Sequence, residues 1–167
     1  MEGDHKVKLL LQEKYSEAQP RISPDGRWMA YVSNESGQNQ VYVRPHPDVE
    51  GGRWQISTTG GSSPLWSRDG KEIFYRNGDE VMAVSVKTEQ AFNPETPQPL
   101  FRGDYASVDV GILNMEVSPW DISPDGKRFL MMKDVTATGA TSTAGIPRRL
   151  NIVLNWFEEL KQRVPVP

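Results

Sequence analysis

Few residues in this chain could carry out chemistry. His5 and His46 are the only imidazoles, and there is no cysteine. The chain therefore offers no thiolate nucleophile, no disulfide and no cysteine-bound zinc. His5 stands in a polar tail and His46 between two prolines. Neither has carboxylates or a second histidine at ligand spacing, so neither reads as a metal ligand or a triad member. Three aspartates recur in one context, Asp25, Asp69 and Asp125. Clustered carboxylates could do acid–base work, but turn chemistry accounts for these. Each is the third residue of a tetrad: Ser23-Pro24-Asp25-Gly26, Ser67-Arg68-Asp69-Gly70 and Ser123-Pro124-Asp125-Gly126. Serine bonds forward, proline presets φ, aspartate fits the bridge region, and Gly26, Gly70 and Gly126 accept positive φ. No glycine-rich phosphate loop, His-Arg-Asp catalytic loop or Gly-x-Ser-x-Gly elbow occurs, so kinase and serine-peptidase chemistry are not expected. The expected set of catalytic residues, metal ligands and cofactors is empty.

What must position any site is a repeat. Each tetrad sits between two short apolar runs, the signature of a hairpin. Pro20-Arg21-Ile22, Pro64-Leu65-Trp66 and Trp120-Asp121-Ile122 come before the turns. Trp28 to Val32, Glu72 to Arg76 and Arg128 to Met132 follow them. Third runs come next at Val41-Tyr42-Val43, Val81 to Val86 and Leu150 to Leu154. Fourth runs appear only at Trp54-Gln55-Ile56 and Leu100-Phe101. Asp25 and Asp69 lie 44 residues apart, and Asp69 and Asp125 lie 56 apart. The first spacing matches the period of about 40–45 residues of a four-stranded propeller blade, and the second carries an insertion. The second runs are apolar at consecutive positions, as strands covered on both faces should be.

The Ser-Pro-Asp-Gly turn, the aromatic second strand and the Val-Tyr-Val third strand resemble the TolB-type, WD-repeat-like β-propeller repeat over about residues 8–160. The C-terminal stretch is similar to the propeller tails of bacterial proteins linked to serine/threonine kinases. The resemblance implies an all-β fold of three four-stranded antiparallel blades, half of a six-bladed propeller. It specifies architecture, and such propellers serve as scaffolds, sensors and peptidase covers. Blade one is expected at about 18–60, blade two at 61–102 and blade three at 119–160, with a linker at 103–118. A low-complexity loop falls at 136–145. Asn155-Trp156-Phe157-Glu158 reads as a helix start, giving a short C-terminal helix that ends near Arg163.

The chain has 167 residues, a net charge of −3 and 25% charged residues. That balance argues against a nucleic-acid or membrane-surface binder. The first residues have no signal-peptide core and no run is long enough for a membrane helix. A cytoplasmic location is expected as the sequence stands, and a periplasmic one if it is cut from a longer exported protein.

Two deficits occur together. Blade three lacks a fourth strand, and three blades fall short of the roughly 4–8 that close a ring. A homodimer would close a six-bladed ring with isologous symmetry. Lys8, Leu9, Leu10 and Leu11, an apolar run with no partner of its own, would then add a strand to the partner's third blade. The competing reading is a fragment, such as the sensor tail of a kinase-linked signalling protein. Inner-strand starts border a propeller's central channel. Arg21, Trp66, Trp120 and Asp121 are therefore the candidates for a channel mouth that binds a protein, peptide or small ligand. A propeller hydrolase or lyase, the less favoured alternative, would need histidines and carboxylates clustered there, and the two histidines are poorly placed for it.

Overall fold

The computed structural model describes residues 9–89, 91–105, 120–133 and 150–152. Regular structure there is strand throughout, apart from one 3-10 turn at Val49–Gly51. The first sheet is a meander of β1 (Glu17–Ile22), β2 (Trp28–Ser33), β3 (Gln40–Pro45) and β4 (Trp54–Gln55). β2 and β3 pair without a break from Trp28↔Pro45 to Ser33↔Gln40. Nearly every residue of both is buried, as their unbroken apolar runs require.

The second sheet contains β5 (Ser62–Trp66), β6 (Glu72–Asn77), β7 (Glu80–Lys87), β8 (Asn93–Pro94) and β9 (Gln98–Arg102). It departs from the expected four strands. β7 is eight residues long, and its outer edge is shared between β9 at Glu80 to Ala83 and β8 at Val86 and Lys87. A strand that outruns its main partner leaves edge groups to satisfy. The Asn93–Pro94 pair does this, and an edge position is where proline is tolerated. The third sheet orders β10 (Trp120–Ile122), β11 (Phe129–Met132) and β12 (Leu150–Ile152). Lys8, residues 106–118 of the linker, the loop at 136–145 and the C-terminal helix expected from Asn155 lie outside the described residues. Among the described residues no helix is long and apolar enough to cross a membrane.

The sheets pack face to face in chain order. Side chains alternate along a strand, so each middle strand serves two neighbours. Ala30, Val32, Val41, Val43 and Ile56 meet Trp66, Ile73, Tyr75, Val84, Val86 and Phe92 in the first seam. Leu65, Phe74 and Val81 meet Trp120, Phe129 and Met131 in the second. β1 lies against β5, and β5 against β10. Both β1 and β5 carry a bulge four residues before the turn serine, with Gln19 at φ 53° and Ser63 at φ 51°. Neither is glycine, although this region of φ is uncommon for other residues. The bulged backbones are joined, since Ser63 N–H donates to Gln19 Oε1 at 2.6 Å.

The outer face of the first sheet presents Met29, Tyr31 and Tyr42 with Val49, and Leu11 packs on them. Arg44 donates to Tyr31 Oη at 2.9 Å and to the Val49 carbonyl at 3.1 Å, and forms an ion pair with Glu13. Ser16 N–H donates to Asn34 Oδ1. Leu9–Leu11, read from the sequence as a strand, form none in this chain. Leu11 covers its own first sheet instead, while Leu9 and Leu10 are 67% and 36% exposed.

Candidate functional site

The three turns repeat one network. Each serine hydroxyl donates to its aspartate at 2.5–2.7 Å and accepts the backbone N–H five residues on at 2.9–3.0 Å. The same carboxylate accepts the N–H two residues beyond it at 3.1 Å in all three. Gly26, Gly70 and Gly126 have φ of 76°, 70° and 69°. Their N–H groups close the turns onto the serine carbonyls. The hydroxyl bonds from Ser67 and Ser123 hold Asp69 and Asp125 below the ordinary carboxylate range, helped by those backbone donors. At Asp25 partial burial opposes the shift, and the bonds from Ser23 and Arg27 overcome it. Three ionised carboxylates, each held in its turn by these bonds, act as structural anchors.

These turns border an open cleft of about 840 Å³. Its walls come from the ends of β1, β5 and β10 with the first residues of each turn: Arg21, Ile22 and Pro24, then Leu65, Trp66, Ser67 and Arg68, then Trp120 to Pro124. Arg21, Trp66, Trp120 and Asp121, separated by up to 100 positions in the chain, thus line one cavity. Their parts differ. The two indoles are buried and act as ties between sheets. Trp66 Nε1–H donates to the Arg21 carbonyl at 3.0 Å, and Trp120 Nε1–H to the Ser63 carbonyl at 2.9 Å. Each tryptophan reaches back to the inner strand of the preceding sheet, so the cleft walls are fixed to one another. Arg21 and Asp121 are exposed. Asp121 Oδ1 accepts the Ile122 N–H at 2.8 Å.

Sequence reasoning passed over Arg68 and Ile22. The signal for Arg68 was present, because it is the one place where the turn tetrad lacks proline. Among the described residues neither the Arg21 nor the Arg68 guanidinium forms an ion pair or hydrogen bond. Ile22 is a large apolar side chain left in solvent at the rim.

A smaller cavity of about 420 Å³ lies on the far side of the first sheet, between Tyr15, Glu35, Tyr42 and Arg53. Its charges are spent on each other, since Arg53 pairs with Glu35. Burial raises the pKa of Tyr42 there, so it stays a neutral phenol. His46 Nδ1 contacts the Gly26 carbonyl at 2.8 Å, a turn-bracing role. Among the described residues no group of three or more histidines and carboxylates is placed to hold a metal ion.

No protein-family model and no curated protein matches the chain. Among solved structures it is similar to a crystal structure of TolB from Acinetobacter baumannii, with 20% identity and a TM-score of 0.45. The likeness covers 80% of this chain and 41% of that one, so the chain spans about two fifths of that protein's length.

Proposed function

We propose that the chain is a non-catalytic interaction module: three propeller blades, half of a six-bladed ring, that bind a protein segment or small ligand at the inner-strand ends. The observation that carries this reading is a cleft to which all three inner strands contribute, with an apolar rim and two uncommitted cations. Such a mixture of apolar wall and few polar groups is what a recognition site needs. Asp25, Asp69 and Asp125 beside the cleft accept hydrogen bonds within their own turns, which supports a structural role for them. Peptides selected by display on the immobilised chain should lose binding to an Ile22→Asp variant of unchanged melting temperature. Undiminished binding to that variant would overturn the cleft as the site.

The proposal extends to closure by a second copy. β12 is the last strand of its sheet among the described residues, whereas the first and second sheets carry further strands beyond β3 and β7. Leu11 would leave the first sheet, and the run from Lys8 to Leu11 would add to the partner's β12 edge. Light scattering should then give a mass near twice the 18.8 kDa of one chain. A single-chain mass would overturn closure by a second copy, and the cleft reading would stand.

A further inference from the structure

We infer that the cleft selects a carboxylate-bearing peptide: an extended segment that sets an acidic side chain against Arg21 and Arg68 and an apolar side chain on Ile22. The inference rests on the cleft being a binding site and adds the chemistry of what enters it.

Charge placement is its basis. The chain as a whole is acidic, at −3, yet the cleft holds two arginines against one carboxylate. Arg27, Arg44, Arg53, Arg102 and Arg128 all form ion pairs, and Arg76 is buried and donates to the Gly78 carbonyl. Arg21 and Arg68 form none among the described residues, and both are exposed. Arg21 stands near the end of β1 and Arg68 in the turn that follows β5, and the Trp66 bond to the Arg21 carbonyl ties these two strands together. Guanidinium groups are planar forks matched to carboxylates, and they lose less on desolvation than an ammonium would.

The repeat itself isolates Arg68. Pro24 and Pro124 fill its position in the other two turns, and those prolines also line the cleft. The Arg68 turn keeps the same serine, aspartate and glycine bonds. Turn geometry therefore does not ask for arginine. Asp121 stands on the third-sheet wall, where it repels an acidic residue and orients the ligand's charge toward the first two sheets.

Arg68→Pro separates binding from folding. It restores the tetrad of the neighbouring turns, and no hydrogen bond from the Arg68 N–H would be lost. The fold should keep or gain stability. The probes are a short capped peptide with two glutamates and a leucine, its glutamine counterpart, and a neutral displayed library, each applied to the full chain. The acidic peptide should bind at least about tenfold more tightly than the glutamine peptide, and Arg68→Pro and Arg21→Gln should each weaken it by about tenfold. Equal binding of the acidic and glutamine peptides, or acidic binding indifferent to both variants, overturns the carboxylate inference and leaves the cleft as a site. Library binding that survives Ile22→Asp overturns the cleft reading as well.

Discussion

The two faces of the first sheet show two ways to cover a strand. The face toward the second sheet is made of Ala30, Val32, Val41 and Val43, small aliphatic side chains against Trp66, Ile73 and Tyr75. Around its margin Trp28 stands edge-on to Trp54 at 5.6 Å, and Phe92 contacts both. The opposite face alternates Met29, Tyr31, Tyr42 and Arg44. Its cover is a chain segment held by one leucine, one ion pair and a hydrogen bond. The first face is closed by apolar area, which is non-directional and large. The second is closed by directional polar contacts, which are each worth little but are easily replaced. A broad apolar seam and a cover held by a few contacts thus share one sheet, on residues that alternate along its strands.

The largest break should come in the seam. Trp66→Ala should cost about 3–5 kcal/mol, as the loss of a buried aromatic does, and should also free the Arg21 carbonyl. Denaturant melts read this directly, and a loss below about 1 kcal/mol would mean the seam is not the stronger face. On the cover, Glu13→Gln leaves Arg44 without its carboxylate. Arg44 is buried but keeps the Tyr31 and Val49 acceptors, so about 1–3 kcal/mol is expected for the lost charge-assisted bond. An effect equal to that of Trp66→Ala would erase the distinction between the faces.

The turns lie on neither face and provide a gauge. Asp69→Ala should cost about 0.5–1.5 kcal/mol through its lost hydrogen bonds. The folded-state values of Asp25, Asp69 and Asp125 lie below the ordinary 3.8. Their contribution is therefore complete above about pH 4 and is lost as pH falls through the folded values. Acid titration of the melting temperature should be flatter in Asp69→Ala, and an unchanged slope would count against the pinned carboxylate. Within the single chain the smallest effect belongs to Leu9→Ser, at an exposed position, where about 0.5 kcal/mol or less is expected.

Arg21, Trp66, Trp120 and Asp121 were expected at inner-strand starts, whereas Arg21 and Trp66 fall at the ends of β1 and β5, and Trp120 and Asp121 open β10. The turn tetrads and the doubly buried second strands β2 and β6 were legible in the sequence. Local chemistry and a repeat sufficed for these. The indole ties were not legible, because a donor's acceptor on another sheet depends on how the sheets are offset. Gln19 and Ser63 gave no sign of their bulges, since positive φ there falls on residues other than glycine. Leu9–Leu11 was ambiguous by nature. A three-residue apolar run fits a strand or a cover equally well, and the deciding groups, Arg44 and Tyr31, lie some 20 to 35 positions away. The shared outer edge of the second sheet was hidden behind Pro94 and Pro97, which read as turn signals.

The central claim is that the inner-strand ends form the recognition site. The most direct measurement is to follow the tryptophan indole N–H resonances of the full chain as a selected peptide is added. Trp66 and Trp120 line the cleft, while Trp28 and Trp54 stand in the margin of the first seam. The account predicts that the Trp66 and Trp120 signals shift with saturation and that those of Trp28 and Trp54 stay in place. Movement of Trp28 and Trp54 with Trp66 and Trp120 unmoved would contradict it.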